Sequence, residues 1–360
     1  MTLPADPAAR RLGVATPDTR VRAVAPGRVN LIGDHTDYAG GWVLPMAVDR
    51  STTVDLRRHG SVLDLVSADS PLAVTLPLDG QSGPASNPEW SRYVHGVVAT
   101  LRPHQGGSGV VSTTLPLGAG LSSSSALTVA LALALGFEGT VLDLARLCQR
   151  AETLGSGVPG GIMDQLCAGA GVEDNALLID CTELTVRPVP LPDGCEVIVA
   201  HCGSARTLVG SEYADRRRDV EAAATLIGPL RDVVGHGWDE IGDDRLRRRA
   251  RHVVTENGRV LACAAALESG DVVGAGALMS ESHRSLRDDF DVSTPDLGSL
   301  VEELEALDGV YGARLTGAGF GGCVVALAEA GTLDRVGELP SGRSAWVVNA
   351  TAGASVVETG

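Results

Sequence analysis

Lysine is absent from this chain of 360 residues, and its absence excludes several kinds of active site. All 29 basic residues are arginines. A Walker nucleotide site uses the lysine of Gly-Lys-Ser/Thr, a protein kinase uses the lysine of its third strand, and a Schiff base forms on an amine. The chain therefore contains none of these three lysine-dependent sites.

Aromatic residues are scarce, and the cysteines show no pairing pattern. Phenylalanine, tryptophan and tyrosine make up only 3% of the residues, so leucine, valine and alanine must fill the core. The seven cysteines are scattered and contain no C-x-x-C pair, and the eight histidines contain no H-E-x-x-H motif. Residues 1–20 include no apolar run of the kind that a signal peptide has. These features favour a reducing, cytoplasmic location.

Positive charge is also in short supply, since the formal net charge is −16. An acidic surface repels phosphate backbones, so we expect no nucleic-acid partner, although a local field can still hold a small anion. Residues 115–137 carry no charge and have glycines and serines in their front half. This stretch predicts a loop followed by a buried helix and not a membrane span.

Strand-like and helix-like segments interleave along the chain without a regular βαβ period, which predicts an α+β fold of two lobes. The segment 21–80 is strand-like, and residues 1–20 resemble a frayed end. The proline-rich stretch 187–194 is the best boundary, dividing the chain into domains 1–190 and 191–360. Helices are predicted over residues 90–102, 122–135, 141–154, 162–170, 211–227, 243–269 and 296–307.

The first motif is GRVNLIGDHTDYAGGWVLP, residues 27–45, in which Asp34, His35, Thr36 and Asp37 follow an apolar strand. A loop that leaves a buried strand can hold side chains rigidly and keep them accessible. Ionised carboxylates bind sugar hydroxyls well because they accept charge-assisted hydrogen bonds. Asp and Thr also initiate turns, so a plain turn between two strands is an open alternative.

The second motif is LPLGAGLSSSSAL, residues 115–127. Its glycines leave backbone N–H groups bare, and its serines open a helix whose first turn carries unsatisfied N–H groups and partial positive charge. This arrangement is typical of phosphate-binding sites. A serine that simply caps the helix is the alternative, but four serines in succession exceed what one cap needs.

The third motif is AETLGSGVPGGIMDQ, residues 151–165, where Glu152 ends one helix and Asp164 begins the next. Mg²⁺ prefers few protein carboxylates together with phosphate oxygens, so one glutamate and one serine hydroxyl are enough. Asp164 could instead serve only to complement a helix N-terminus.

TGAGFGG, residues 316–322, satisfies G-x-G-x-x-G, but a strand follows it and no acidic residue lies about twenty positions on, which argues against a dinucleotide site.

Taken together, these segments resemble the GHMP small-molecule kinases and, within them, the galactokinase family. The first motif is similar to the galactokinase signature, the second to the family's phosphate loop, GIMDQ to its catalytic-aspartate segment, and RLTGAGFGG to its third motif. The resemblance runs from about residue 21 to residue 350. It implies a lobe like the ribosomal S5 domain 2, a ferredoxin-like C-terminal lobe, and an active site between them.

The resemblance also implies an activity and a set of site residues. It implies ATP, Mg²⁺ and transfer of a phosphoryl group to the anomeric hydroxyl of a galactose-like sugar. We expect a monomer or weak dimer. The sugar-binding residues would be Asp34, His35, Thr36, Asp37, Gly161 and Tyr213. The triphosphate would contact Gly118, Ala119, Gly120, Leu121, Ser122, Ser123 and Ser124. Mg²⁺ would be held by Ser124 and Glu152, and the catalytic pair would be Asp164 and Arg28.

One departure from the family pattern leaves the sugar open. Galactokinases usually have Gly-Glu-His where this chain has Gly-Asp-His, so Asp34 is one methylene shorter. A kinase for galacturonate, arabinose or an N-acetylhexosamine is therefore an alternative. A catalytically idle sugar sensor is a further alternative, but a sensor does not need the complete catalytic set that is present here.

A carboxylate beside an arginine is a weak base, so Asp164 could act by orientation, by accepting a proton, or by both.

Overall fold

The computed structural model describes residues 6–13, 19–79, 88–116, 118–204 and 209–359. The strands are β1 (Arg11–Leu12), β2 (Arg20–Asn30), β3 (Trp42–Val43), β4 (Pro45–Arg58), β5 (Val62–Ser67), β6 (Ser70–Pro77), β7 (Gly107–Thr113), β8 (Gly139–Thr140), β9 (Asn175–Asp180), β10 (Thr185–Pro190), β11 (Cys195–His201), β12 (Val310–Thr316), β13 (Cys323–Glu329), β14 (Ala345–Val348) and β15 (Ser355–Thr359). The helices are α1 (Ser91–Leu101), α2 (Ser123–Ala134), α3 (Val141–Ser156), α4 (Met163–Ala170), α5 (Val209–Ile227), α6 (Asp244–Ser269), α7 (Val272–Asp288), α8 (Pro295–Glu305) and α9 (Thr332–Val336).

The first half of the chain is built on a six-stranded sheet with the order β15-β2-β4-β7-β5-β6. Helix α2 lies against β2 and β4, and every residue from Ser125 to Ala134 is buried. A helix that is apolar on all sides belongs inside a protein, and here α1, α3 and α4 cover α2 on the sides away from the sheet. The sheet therefore holds the serine-rich start of α2 in a fixed place.

The second half is built on a four-stranded antiparallel sheet with the order β12-β13-β11-β14. Helices α7 and α8 pack on β12 and β13, and α6 packs between α5 and α7. The two sheets meet where β2 and β12 end. The backbone N–H of Asn30 donates to Oγ1 of Thr316 at 2.9 Å, and Nη1 of Arg314 donates to the carbonyl of Asn30 at 3.2 Å. The ends of both strands therefore face one shared region.

Most of the predicted elements are confirmed. The α+β class, the strands of the segment 21–80 and all seven predicted helices occur, as α1 to α6 and α8, with ends that differ by a few residues at most. None of the described helices combines the length and the apolarity that crossing a membrane requires.

Helix α7 was not predicted, because its first turns contain valines and glycines, which favour helices poorly. The glycines are there for packing. A Cβ atom at Gly276 would lie 2.4 Å from the backbone of Tyr311, and one at Gly312 would lie 1.9 Å from the carbonyl oxygen of Gly276. Close contact with β12 therefore stabilises α7 in spite of its low intrinsic propensity.

The expectation of a frayed end over residues 1–20 is wrong for the described part of that segment. Pro7–Ala9 forms a 3-10 helix and β1 pairs with β8, whereas residues 1–5 and 14–18 lie outside the described residues. Strand β15 was also missed, and it pairs with β2 in the first sheet. The division into 1–190 and 191–360 stays a prediction, and any such boundary has to place β15 with the first half.

Candidate active site

A cavity of about 370 Å³ lies where the two halves meet. It receives side chains from the end of β2, the loop that follows it, α1, α3, α4 and α5, and its wall is completed by Gly317 and Ala318 after β12. The predicted site residues that line it are Arg28, Asp34, His35, Asp37, Glu152, Gly161, Asp164 and Tyr213. Segments that are far apart in sequence therefore converge on one pocket.

Arg28 and Asp164 form a forked ion pair at the floor of the cavity. Nε of Arg28 donates to Oδ1 of Asp164 and Nη2 donates to Oδ2, both at 2.7 Å, and Nη1 donates to the carbonyl of Gly120 at 2.7 Å. Burial would lower the pKa of Arg28, but the charge and hydrogen bonds of Asp164 outweigh it and raise that pKa above its ordinary value. Arg28 therefore stays a fixed cation beside the carboxylate.

Asp37 is the second carboxylate that faces this floor. Burial raises its pKa to about 7, and the charge of Asp164 acts in the same direction. A Cβ atom at Gly161 would lie only 1.6 Å from Oδ2 of Asp37, so any larger residue at that position would have to displace this carboxylate. The Tyr213 side chain hydrogen-bonds the backbone of Gly161 and closes the same side of the cavity.

Asp34 lines the cavity but is tightly held from the second half of the chain. Its Oδ1 accepts a hydrogen bond from the backbone N–H of Gly317 at 3.0 Å, and its Oδ2 lies 2.6 Å from Nη2 of the fully buried Arg314. Burial raises the pKa of Asp34, whereas the charges of Arg314 and Arg28 oppose the rise. The shorter side chain thus has a cationic partner behind the cavity wall.

His35 has both ring nitrogens occupied. Nε2 lies 3.1 Å from the carbonyl oxygen of Ala318, which can only accept, so Nε2 carries the hydrogen and Nδ1 accepts from the hydroxyl of Tyr38 at 2.9 Å. Burial, reinforced by the neighbouring His252, lowers the pKa of His35 to about 3. His35 is therefore neutral. Its ring forms part of the cavity wall, and neither ring nitrogen is free to bind a ligand.

Thr36 lies outside the cavity. Its side chain is completely buried, and its hydroxyl lies 2.7 Å from the carbonyl oxygens of both Gly33 and Trp42. The expected contact between Thr36 and a sugar is not supported by this geometry, because a hydroxyl enclosed by two carbonyls cannot reach a ligand. Thr36 instead closes the base of the loop that carries Asp34 and Asp37.

The predicted phosphate loop adjoins the cavity floor without lining the cavity, and Leu117 within this motif lies outside the described residues. Gly118 and Gly120 have positive φ angles of 74° and 79°, and the side chains of Ala119 and Leu121 point into the core. Only the backbone of those four residues is available to a phosphate. Ser122 makes no side-chain cap, so the first N–H groups of α2, which begins at Ser123, stay open.

Glu152 and Ser124 form the candidate metal site. Oε1 of Glu152 accepts from Nε2 of Gln165 at 2.7 Å and from Oγ1 of Thr128 at 3.3 Å. Burial raises the pKa of Glu152, while the hydrogen bond from Gln165 and the nearby hydroxyls of Ser125 and Ser124 oppose the rise. The described residues contain no cluster of three or more histidines, cysteines or acids. A buried carboxylate with only neutral donors fits Mg²⁺, which takes its remaining ligands from phosphate and water.

The supporting residues from the second half were not predicted individually. Arg314, His252 and Glu256 lie inside segments that the resemblance covers, but their roles depend on contacts across the chain. A usable signal existed for Arg314, because an arginine in the otherwise apolar strand β12 needs a buried partner. His252 and Glu256 are four residues apart, which places them on one face of α6.

Comparison with known proteins first defines the class. The GHMP kinases N-terminal domain model matches residues 92–171, and the GHMP kinases C-terminal model matches residues 263–338. The mevalonate kinase of Methanococcus jannaschii has the same fold, with a TM-score of 0.64 at 18% identity over 92% of this chain and 98% of that chain. The two-lobed architecture with a phosphate loop beside the cavity is that of a GHMP kinase.

Closer relatives define the family. The galactokinase galactose-binding signature matches residues 10–58. Galactokinases of Roseiflexus sp. and Homo sapiens are 46% and 45% identical over 86% and 85% of this chain and 84% and 83% of theirs. The galactokinase of Lactococcus lactis, solved in complex with galactose, has a TM-score of 0.84 at 30% identity over 93% of this chain and 95% of that chain. The chain therefore belongs to the galactokinase family.

Proposed function

We propose that this protein transfers the γ-phosphoryl group of ATP to the anomeric hydroxyl of D-galactose, giving galactose 1-phosphate and ADP. One observation carries the proposal. Asp164 is fixed by Arg28 at the point where a carboxylate-lined cavity meets the open N-terminus of α2. A sugar hydroxyl in the cavity and a phosphate at the helix would meet beside this pair.

The sugar would be held by the carboxylates of Asp34 and Asp37. Each carboxylate oxygen accepts hydrogen bonds from hydroxyl groups, and both residues line the cavity. Gly161 and Tyr213 bound the space next to Asp37, and His35 supplies a neutral wall. Arg314 fixes Asp34 from behind, so this end of the cavity is rigid before a ligand arrives.

The triphosphate would lie against the backbone of residues 118–124 and the N-terminus of α2, where N–H groups and the helix dipole favour negative charge. Glu152 and the hydroxyl of Ser124 would hold Mg²⁺, which neutralises charge on the phosphate oxygens when bound. Use of ATP is a property of the family, whereas Mg²⁺ at these residues is our proposal.

Phosphoryl transfer depends on positioning and charge neutralisation more than on covalent help from the protein. Arg28, with 5% of its surface exposed, supplies a cation that cannot lose its charge and that is already in place before the reaction. Asp164 orients the attacking hydroxyl. In a loose transition state that hydroxyl loses its proton late, so Asp164 accepts the proton as the new oxygen–phosphorus bond forms.

A sugar panel with coupled ADP detection tests the proposal, using wild type and Asp164→Asn. We expect D-galactose to give the highest kcat/KM among galactose, galacturonate, arabinose and an N-acetylhexosamine. Asp164→Asn should lower kcat by about 10²–10⁴-fold, because it removes the proton acceptor, and should leave ATP binding within a few-fold.

The control is Asp55→Asn. Asp55 is forked by Arg22 at 2.8 and 2.9 Å, in the same geometry as the catalytic pair, but on the exposed surface. The Asp55→Asn variant should keep full activity. If another sugar gave the highest kcat/KM, that sugar would be the substrate in place of galactose. No turnover with any sugar would favour a sugar sensor. Normal turnover in Asp164→Asn would refute the catalytic role of Asp164.

Two further proposals concern the protein in the cell. All seven cysteines are free thiols, which supports a reducing cytoplasm as its location. A monomer or weak dimer stays our proposal for its assembly, and light scattering over a concentration series measures it directly.

A further inference from the structure

Ser122 occupies the N-cap position of α2 but does not cap the helix. Its backbone has φ 59° and ψ 45°, the left-handed conformation that glycine adopts freely and that serine adopts at a cost, and its side chain makes no hydrogen bond to the first turn. A serine in ordinary N-cap geometry has extended backbone angles and accepts from a backbone N–H of that turn. The local sequence therefore does not explain the conformation of this residue.

The hydroxyl of Ser122 instead points to Asp164. Its Oγ donates to Oδ2 at 2.5 Å, and the residue has only 9% of its surface exposed. Together with Arg28, the hydroxyl gives the carboxylate three donors: Nη2 and Oγ on Oδ2, and Nε on Oδ1. The left-handed turn aims the serine at α4 and away from its own helix.

We infer that Ser122 is a positioning residue for Asp164, an inference that rests on the proposed kinase function. Each carboxylate oxygen has two acceptor positions. Both positions of Oδ2 are filled by Ser122 and Arg28, and only one of Oδ1 is filled. Oδ1 is thus the oxygen left for the sugar hydroxyl, and it receives the proton as the sugar oxygen bonds to the γ-phosphorus and ADP leaves.

This assignment changes the role expected for Ser122, which the phosphate-loop motif placed among the nucleotide contacts. A hydroxyl that donates its only proton to Asp164 has none left for a phosphate oxygen. Because the Ser122 side chain makes no hydrogen bond to the first turn of α2, the N–H groups of that turn remain open to the nucleotide. One residue thereby serves both halves of the reaction.

Ser122→Gly separates catalysis from stability, because it relieves the left-handed strain and removes the hydroxyl. We expect kcat to fall about 10- to 100-fold, since small misplacement of a reacting group has effects of this size. KM for ATP and for galactose should stay within about threefold, and Tm should lie above that of Ser122→Ala, because glycine relieves the left-handed strain that alanine keeps. Ser122→Ala, which keeps the strain, should lose kcat similarly with a lower Tm.

Asp174→Gly is the matched control, because Asp174 also has positive φ, 57°, but lies on an exposed turn away from the cavity. Asp174→Gly should keep full activity with a Tm equal to or above that of wild type, because it relieves the same kind of strain without removing a contact to Asp164. Unchanged kcat in Ser122→Gly would overturn the inference, and so would a loss confined to the KM of ATP, which would make Ser122 a nucleotide ligand.

A substrate-free measurement keeps this inference separate from the proposed function. In a double-mutant cycle of Ser122→Ala and Asp164→Ala followed by unfolding, we expect effects that do not add. Additive effects would contradict the contact whatever the sugar. A coupled pair in an enzyme that does not use galactose would refute only the choice of sugar.

Discussion

At the scale of single residues, Asp37 shows a conflict between stability and function. Burial raises the pKa of its carboxyl group from 3.8 to about 7, with Asp164 adding to the rise. A folded-state pKa above the unfolded value stabilises the fold at low pH, and this contribution is lost as pH rises through about 7. The wild type therefore carries an ionised group at a destabilising position above neutral pH.

Asp37→Asn should consequently be more stable than the wild type, with the largest difference above about pH 7 and a smaller one toward pH 5. Sugar binding should weaken strongly, because the amide lacks the charge that accepts hydroxyl hydrogen bonds. Thermal unfolding between about pH 5 and pH 9 measures the difference. Asp193→Asn, on an exposed turn, is the control, and a stability gain that did not vary with pH would contradict the prediction.

At the scale of elements, α6 holds the loop that carries Asp34 and Asp37, the carboxylates proposed to bind the sugar. Oε1 of Glu256 accepts from the backbone N–H of Gly33 at 3.0 Å, and Nε2 of His252 lies 3.1 Å from the carbonyl of Asp34. Oδ1 of Asn257 accepts from the backbone N–H of Trp42 at 2.8 Å. One face of a helix from the second half therefore fixes both ends of a loop from the first.

Glu256 is the central member of this contact. Burial would raise the pKa of Glu256, but Arg259, His252 and Arg314 lower it to about 2. Glu256→Gln keeps an acceptor for Gly33 and removes the charge that those cations share. We expect a loss of roughly 3–5 kcal/mol in the free energy of unfolding and a several-fold rise in the KM for sugar, with a smaller change in kcat.

The control for this prediction is Glu196→Gln. Like Glu256, Glu196 fixes backbone: it accepts from the N–H groups of Gly331 and Leu333, both at 2.8 Å, but it lies outside the cavity lining. It should affect stability and leave the KM for sugar unchanged. Equal KM values in wild type and Glu256→Gln would show that α6 does not position the loop.

At the scale of the whole molecule, the last strand of the chain, β15, joins the six-stranded sheet of the first half. Strand β15 pairs with β2 from Ser355 opposite Val24 to Thr359 opposite Arg20, and Arg28 lies near the other end of β2. Without β15 the N–H and carbonyl groups along one side of β2 would be exposed, and such an edge invites pairing with other chains. The last strand therefore protects the strand that carries Arg28, the arginine proposed to act in catalysis.

Removal of residues 355–360 should lower Tm by several degrees and cause concentration-dependent aggregation, which calorimetry and light scattering measure. Val357→Thr keeps the strand and alters only an outward side chain that is 53% exposed, so it should behave like the wild type. A truncated chain with unchanged Tm and no aggregation would mean that β15 contributes little to the fold.

The sequence alone determined what local patterns encode. The serine cluster and the apolar run behind it predicted α2, and the chemistry of the motifs made Asp37 and Asp164 candidate site residues, because these signals depend on neighbours within a few positions. Arg28 became a candidate through the resemblance to the galactokinase family. Only the tertiary structure decided what long-range packing controls: that glycines let α7 approach β12, that β15 joins β2, and that Thr36 faces inward. It also decided that Ser122 hydrogen-bonds Asp164 and that Arg314 pairs with Asp34. A buried polar group needs a hydrogen-bonding partner, but that partner can come from a distant part of the chain, so no local sequence pattern predicts it.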